Sequence, residues 1–305
     1  MQNLGRIPAG MRFDLVFAWQ VATATLAIVL AGPVQPALGR SAVAMQAESY
    51  DALFRQAKKL FSEKKYQESL KVLERCLALN RQDPEAYKLV ASDAILIDRM
   101  DIAEKALQSA LPLAPNDYLV LFNLGALYYT DSRFPPALTV LEKSVKLSPD
   151  YIPARLFLGL TQEELAQEQS AIANYLTAIE LAERSDFQGE QPYLYLGRLL
   201  YRQNKLNESQ PYLQKAVQAN PQCCEALCLL ARVQSFQNHE DQVVATLSQC
   251  VEADSKYSEA HYLLSRAYVK QGNPDAAGKE MALFQELKKT EQNKKDPRRN
   301  QRARP

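Results

Sequence analysis

LFNLGALYYTDSRFPPALTVLEKSVKLSP, residues 121–149, carries Gly125 in the middle of a run that otherwise reads as helix. A glycine inside a helix costs about 1 kcal/mol relative to alanine, so something must offset it. Laying residues 118–151 over 152–185 puts Gly125 on Gly159, Ala137 on Ala171 and Ser144 on Ala178, a period of 34. The same frame runs backward through 84–117 to 50–83. Forward, after the insertion Asp186–Gly189, it runs through 190–223, 224–257 and 258–291.

Numbered from 1 within each unit, position 8 holds Ala57, Ala91, Gly125, Gly159, Gly197, Ala231 and Ser265, all small. Position 20 is small in most units: Ser69, Ala103, Ala137, Ala171, Ser209, Val243 and Ala277. Position 24 is large and apolar: Leu73, Leu107, Leu141, Tyr175, Leu213, Leu247 and Met281. Prolines at 84, 115, 149, 153, 192 and 221 punctuate the unit boundaries, where a helix tolerates them. Each unit therefore reads as two helices joined by a short turn. Small residues let the helices approach, and the residue at position 24 fills the space beside them. Gly125 accepts its propensity cost for that close contact.

NLGALYY with FPPALTVLEKSVKLSP, and YLGRLLY with NESQPYLQKAVQANP, resemble the tetratricopeptide repeat family, and the resemblance covers about four-fifths of the chain. The departures are Arg81, Glu183, Ser255 and Lys289 in place of the boundary proline, and Phe284 in place of a small residue at position 27. Phe284 belongs to the last unit, where a capping role fits it. The resemblance implies an all-α, right-handed superhelical solenoid of about seven stacked helix-turn-helix repeats. It also implies a concave groove lined by the first helix of each unit, and binding rather than catalysis. The organisation expected is a leader over 1–44, a short linker over 45–49, the array over 50–291 and a basic, disordered tail over 292–305.

The chain is 47% hydrophobic and 23% charged with a net charge of +1, which suits a folded soluble array and argues against a general nucleic-acid binder. The charge is uneven. Residues 288–305 hold eight Lys and Arg against Glu291 and Asp296, a net +6, which leaves −5 on the remainder. That tail suits a solubilising end, or contact with anionic lipid or an anionic envelope polymer. At the other end, Arg6 and Arg12 precede the apolar run Leu15–Ala31. Small residues then allow cleavage after Gly39 or Ala44, the layout of a secretory signal peptide. The rival is an uncleaved anchor over 15–31, although Gln20 interrupts it. Met11 is an alternative start. The expected location is periplasmic or extracellular, or membrane-anchored.

Catalytic constellations are not found. His239 and His261 sit in no metal or triad pattern, and His261 falls on a packing position. Gly278-Lys279 lacks the glycines of a phosphate loop. Cys76 and Cys250 occupy position 27 and read as small hydrophobes. Cys223, Cys224 and Cys228 cluster at a unit boundary and could form a disulfide in an exported protein, whereas their spacing does not suit zinc. No cofactor or metal is expected.

In the family resembled, positions 2, 5, 9, 12 and 13 of the first helix face the ligand. Position 9 reads Arg198, Arg232 and Arg266 in three consecutive units, with Arg202 and Lys270 at position 13 nearby. Tyr195, Tyr201, Phe236 and Tyr262 lie among them. Guanidinium groups beside aromatic rings suit carboxylates or an acidic extended peptide. The bland alternative is that these arginines are salt-bridged within the array. The earlier units offer Phe54, Phe122, Leu156, Phe61, Ile95 and Tyr129 at positions 5 and 12, an apolar face for an amphipathic helix or for packing within the chain. Lys88 and Asn123 match two positions of the family's carboxylate clamp, but Ser92, Pro153 and Phe157 do not, so that clamp is rejected. These residues predict an exported, non-catalytic scaffold that binds a protein segment to assemble or regulate an envelope complex, with self-association possible. The alternative is an accessory or substrate-presenting subunit of an envelope enzyme, such as a glycan-modifying one.

Overall fold

The structure is a computed structural model and describes residues 49–295. The expected leader, its cleavage sites and the anchor over 15–31 lie outside those residues. The described chain is helical throughout. One compact unit ends at Gln167 and a second begins at Glu168. The first contains α1 (Tyr50–Ser62), α2 (Tyr66–Leu79), α3 (Pro84–Leu96), α4 (Met100–Leu113), α5 (Tyr118–Thr130), α6 (Phe134–Leu147) and α7 (Ile152–Glu164). The second contains α8 (Glu168–Glu183), α9 (Gln191–Arg202), α10 (Leu206–Ala219), α11 (Cys224–Phe236), α12 (Glu240–Ala253), α13 (Ser258–Lys270) and α14 (Pro274–Lys295). No described helix is long and apolar enough to cross a membrane.

Two expected boundaries shift. Ser49 belongs to α1 as its N-cap, its hydroxyl accepting from the Ala52 N–H, rather than to a linker. α14 runs on to Lys295, so residues 292–295 are helical instead of opening a disordered tail. Its last residues are Lys, Gln, Asn and Glu, which include good helix formers and no breaker before Pro297.

The close contact expected at Gly125 is present. A Cβ built on Gly125 would lie 2.7 Å from Leu141 Cδ2 and closer still to Cγ, and one on Gly197 would lie 2.9 Å from Leu213 Cδ2. Position 8 thus rests directly on position 24. Leu73, Leu107, Leu141, Tyr175, Leu213 and Leu247 are completely buried at position 24, and each leucine so buried contributes about 2 kcal/mol. Position 20 adds a polar tie where it is serine. Ser69 donates to the Ala57 carbonyl at 3.1 Å, and Ser209 donates to the Gly197 carbonyl at 2.7 Å. Both acceptors are at position 8, where a backbone carbonyl is reachable because the residue is small.

Every hairpin turns through a left-handed residue at position 15: Lys64, Asp98, Ser132, Ala166, Asn204, Asn238 and Gly272, with φ between 57° and 73°. The amide that follows returns to a carbonyl in the last turn of the first helix, as in Lys65 N–H to Leu60 O at 2.9 Å and Lys205 N–H to Leu200 O at 2.9 Å. Position 27 meets position 1 across the hairpin. Ser144 donates to the Tyr118 carbonyl at 2.8 Å, Cys76 Sγ lies 3.7 Å from the Tyr50 carbonyl, and Cys224 and Cys250 form a disulfide. The cluster at 223–228 therefore bonds outward, to a cysteine read from sequence as packing alone. Cys223 and Cys228 stay free. Burial pushes their thiols up to about 11 and about 12, which keeps them un-ionised and unreactive.

Candidate partner-binding face

In the first unit the apolar residues of the first helices are spent on the core. Phe122 is fully buried and meets Tyr151 and Phe157 edge-on, and Tyr129 continues the series to Phe157 and Phe134. Leu156, Ile95 and Phe61 are buried as well. Phe54 is half-buried under the Lys58 ammonium. The apolar face considered from sequence is therefore packing, not an open surface. Lys88 is also committed, to Glu85 at 2.5 Å and Asp117 at 2.8 Å, which agrees with rejecting a carboxylate clamp there.

In the second unit the first helices α9, α11 and α13 bring most of the expected residues together. Tyr201, Arg232, Phe236, Arg266 and Lys270 line one cavity of about 200 Å³, whose apolar floor includes Ala231, Val243, Leu247, Leu263 and Ala267. Phe236 stands at its edge, 64% exposed. Lys270 Nζ is held by Glu240 at 2.7 Å and Ser235 Oγ at 2.8 Å. Arg202 is exposed at the end of α9. Tyr262 is half-buried against Phe284, 5.3 Å between ring centroids.

Tyr195 departs from expectation. It is 3% exposed and packs against Tyr175 at 5.9 Å, because position 6 points into the hairpin interior. Its ring meets the arginine file at Arg198, whose guanidinium lies 5.0 Å from the ring centroid.

The arginines are not equivalent. Arg198 bonds Glu225 at 3.2 Å, and Arg232 bonds Glu259 at 2.7 Å. Burial works against the charge on Arg232, but the bond to Glu259 outweighs it and holds the guanidinium protonated. Arg266 is exposed, and its guanidinium lies 5.9 Å from the Tyr262 ring centroid. Two of the three arginines thus serve contacts between successive hairpins. Glu225 and Glu259 were missed from sequence, yet both stand at position 2, 27 residues after the arginine they bond.

His261 is buried between two acceptors, Glu280 at 2.6 Å and the Ser255 carbonyl at 3.0 Å, so it is a structural tie. Among the described residues no cluster of His, Cys, Asp or Glu could hold a metal.

Residues 175–272 match the family described as Tetratricopeptide repeat protein 21 second ARM domain. Anaphase-promoting complex subunit CDC16 of Saccharomyces cerevisiae is 26% identical over 141 residues, 44% of this chain and 16% of that protein. The chain spans only a small fraction of the curated relatives it matches. Among solved structures, Pseudomonas aeruginosa pilF superposes with a TM-score of 0.61 at 17% identity, covering 71% of this chain and 97% of that one. YrrB, described as a TPR protein with an unusual peptide-binding site, gives 0.50 at 18% identity over 61% of this chain and 93% of that one. These likenesses, with fourteen described helices and no described strand, support an all-α repeat protein of the tetratricopeptide or ARM-like kind.

Proposed function

We propose that this chain is an exported, non-catalytic scaffold of the tetratricopeptide family that binds a protein segment along the first helices of its second unit and holds it in an envelope complex. The carrying observation is the cavity shared by Tyr201, Arg232, Phe236, Arg266 and Lys270, with cations and an exposed aromatic ring over an apolar floor. Such a surface suits a segment that pairs carboxylates with apolar side chains. Export rests on the layout of residues 6–44. The described peptide-binding site of YrrB and the complex membership in the name of CDC16 are consistent with a binding role.

Affinity capture from a native envelope extract tests this, with the wild type beside the triple variant Arg198→Glu, Arg232→Glu, Arg266→Glu. A stoichiometric partner retained by the wild type and lost by the variant, at unchanged helicity, is the expected result. Identical partners on both would reject the arginine face as the site. A partner enzyme whose rate changes on binding would favour the accessory-subunit reading instead.

A further inference from the structure

We propose that the outer face of the last hairpin, α13–α14, receives an α-helix of a partner protein that carries a carboxylate in its first turn, placed to bond Arg266. This deepens the scaffold reading and rests on it.

The argument starts from a broken series. Arg198 bonds a glutamate in the first turn of α11, and Arg232 bonds one in the first turn of α13. Each glutamate lies 27 residues after its arginine. The residue 27 after Arg266 is Asn293, inside the unbroken helix α14. α14 is 22 residues long where α10 and α12 are 14, so the described chain makes no turn into a further first helix. Among the described residues Arg266 keeps the Tyr262 ring and no acid.

Apolar side chains at the same end are uncovered. Leu213 and Leu247 at position 24 are fully buried, as are Ala216 and Cys250 at position 27. Their counterparts Met281 and Phe284 are partly exposed. Val269 is 65% exposed. A surface built like those that seat α11 and α13 thus stands open, with a cation waiting at its rim.

The occupant follows from what does not fit. The first hairpin presents exposed Ala52, Gln56 and Lys59 at positions 3, 7 and 10, where later first helices mostly bury apolar side chains. That is a polar cap. A second copy stacking through α1 would bring Asp51 to position 2, but it would also set Gln56 and Lys59 against apolar side chains. Residues 296–305 carry four arginines and one acid, so they repel Arg266. A foreign amphipathic helix with apolar residues at i, i+3, i+4 and i+7 and Asp or Glu in its first turn meets both demands.

The test uses the full chain and a fluorescein-labelled peptide with the sequence of residues 256–271, which is α13 with its flanks and seats on α11–α12 in this fold. Fluorescence anisotropy should show saturable binding. Glu259→Gln in the peptide, or Arg266→Glu in the protein, should weaken it about tenfold, the scale of one charge-assisted hydrogen bond. Glu259→Arg in the peptide should restore binding to the Arg266→Glu protein, and Arg184→Glu, which reverses an exposed charge at the end of α8, should leave wild-type binding unchanged. Absence of saturable binding, or binding indifferent to Arg266, would overturn the proposal. So would a dimer that dissociates in Arg266→Glu, which assigns the face to a second copy. Failure of the peptide to bind, with a partner still captured by the wild type and lost by the triple variant, would overturn this inference and leave the face reading standing.

Discussion

Asp93 should set the pH dependence of the first unit. It sits at position 10 of α3 with no exposed surface, and neither carboxylate oxygen has a well-formed hydrogen bond. Burial raises its pKa to about 7, and the nearby Ser69 hydroxyl offsets only part of the rise. The unfolded value is about 3.9. Between the two the native state holds the extra proton, so stability falls as pH rises. The contribution is fully present below about pH 4 and fully lost above about pH 7. Between pH 5 and pH 8 the linkage amounts to about 3 kcal/mol. Leucine has the branching of aspartate with methyls for oxygens, and position 10 is already Leu127 in α5 and Leu199 in α9. Asp93→Leu should therefore raise stability at pH 8 by about 3 kcal/mol more than at pH 5. Urea unfolding at both pH values, followed by circular dichroism, gives the difference, and amide exchange in α3 localises it. Equal pH dependence in wild type and variant would refute a buried, proton-binding Asp93.

Gly125→Leu should destabilise the first unit by about 1–3 kcal/mol through collision with the buried Leu141; a Leu141→Ala partner substitution should recover part of it, and an unchanged melting temperature would remove the packing account of the repeat. Ala166 holds φ at 57° with no side-chain reason to favour it, so Ala166→Gly should raise stability by about 1 kcal/mol, read as a shift in the urea midpoint, while the same change at Asn204 should gain less.

The period, the hairpins and the contact between positions 8 and 24 were legible because small and large residues alternate in register with that contact. The turn at position 15 was not legible. Lys, Asp, Ser, Ala, Asn and Gly share no chemistry there, and the left-handed backbone is imposed by closure of the hairpin. The arginine file was visible, but its division was not, because Glu225 and Glu259 lie 27 residues from Arg198 and Arg232 in sequence and only stacking brings them to 3.2 and 2.7 Å. Tyr195 misled for the opposite reason, and the aromatic residues of α5 stayed open between a binding face and packing until their contacts were seen. Composition cannot tell a ring that faces a ligand from one that faces the next helix.

The slot where position 27 meets position 1 has a use beyond the hairpin α11–α12, which closes it with a disulfide. Cys224 and Cys250 bridge a Cα separation of 5.0 Å, and the equivalent pairs Tyr118 with Ser144 and Tyr50 with Cys76 already touch. The corresponding positions in α9–α10 are Glu190 and Ala216. Paired cysteines at such sites form a set of removable staples, one per hairpin. Closing them singly under oxidant and opening them with reductant would show which hairpins unravel together and which let go alone.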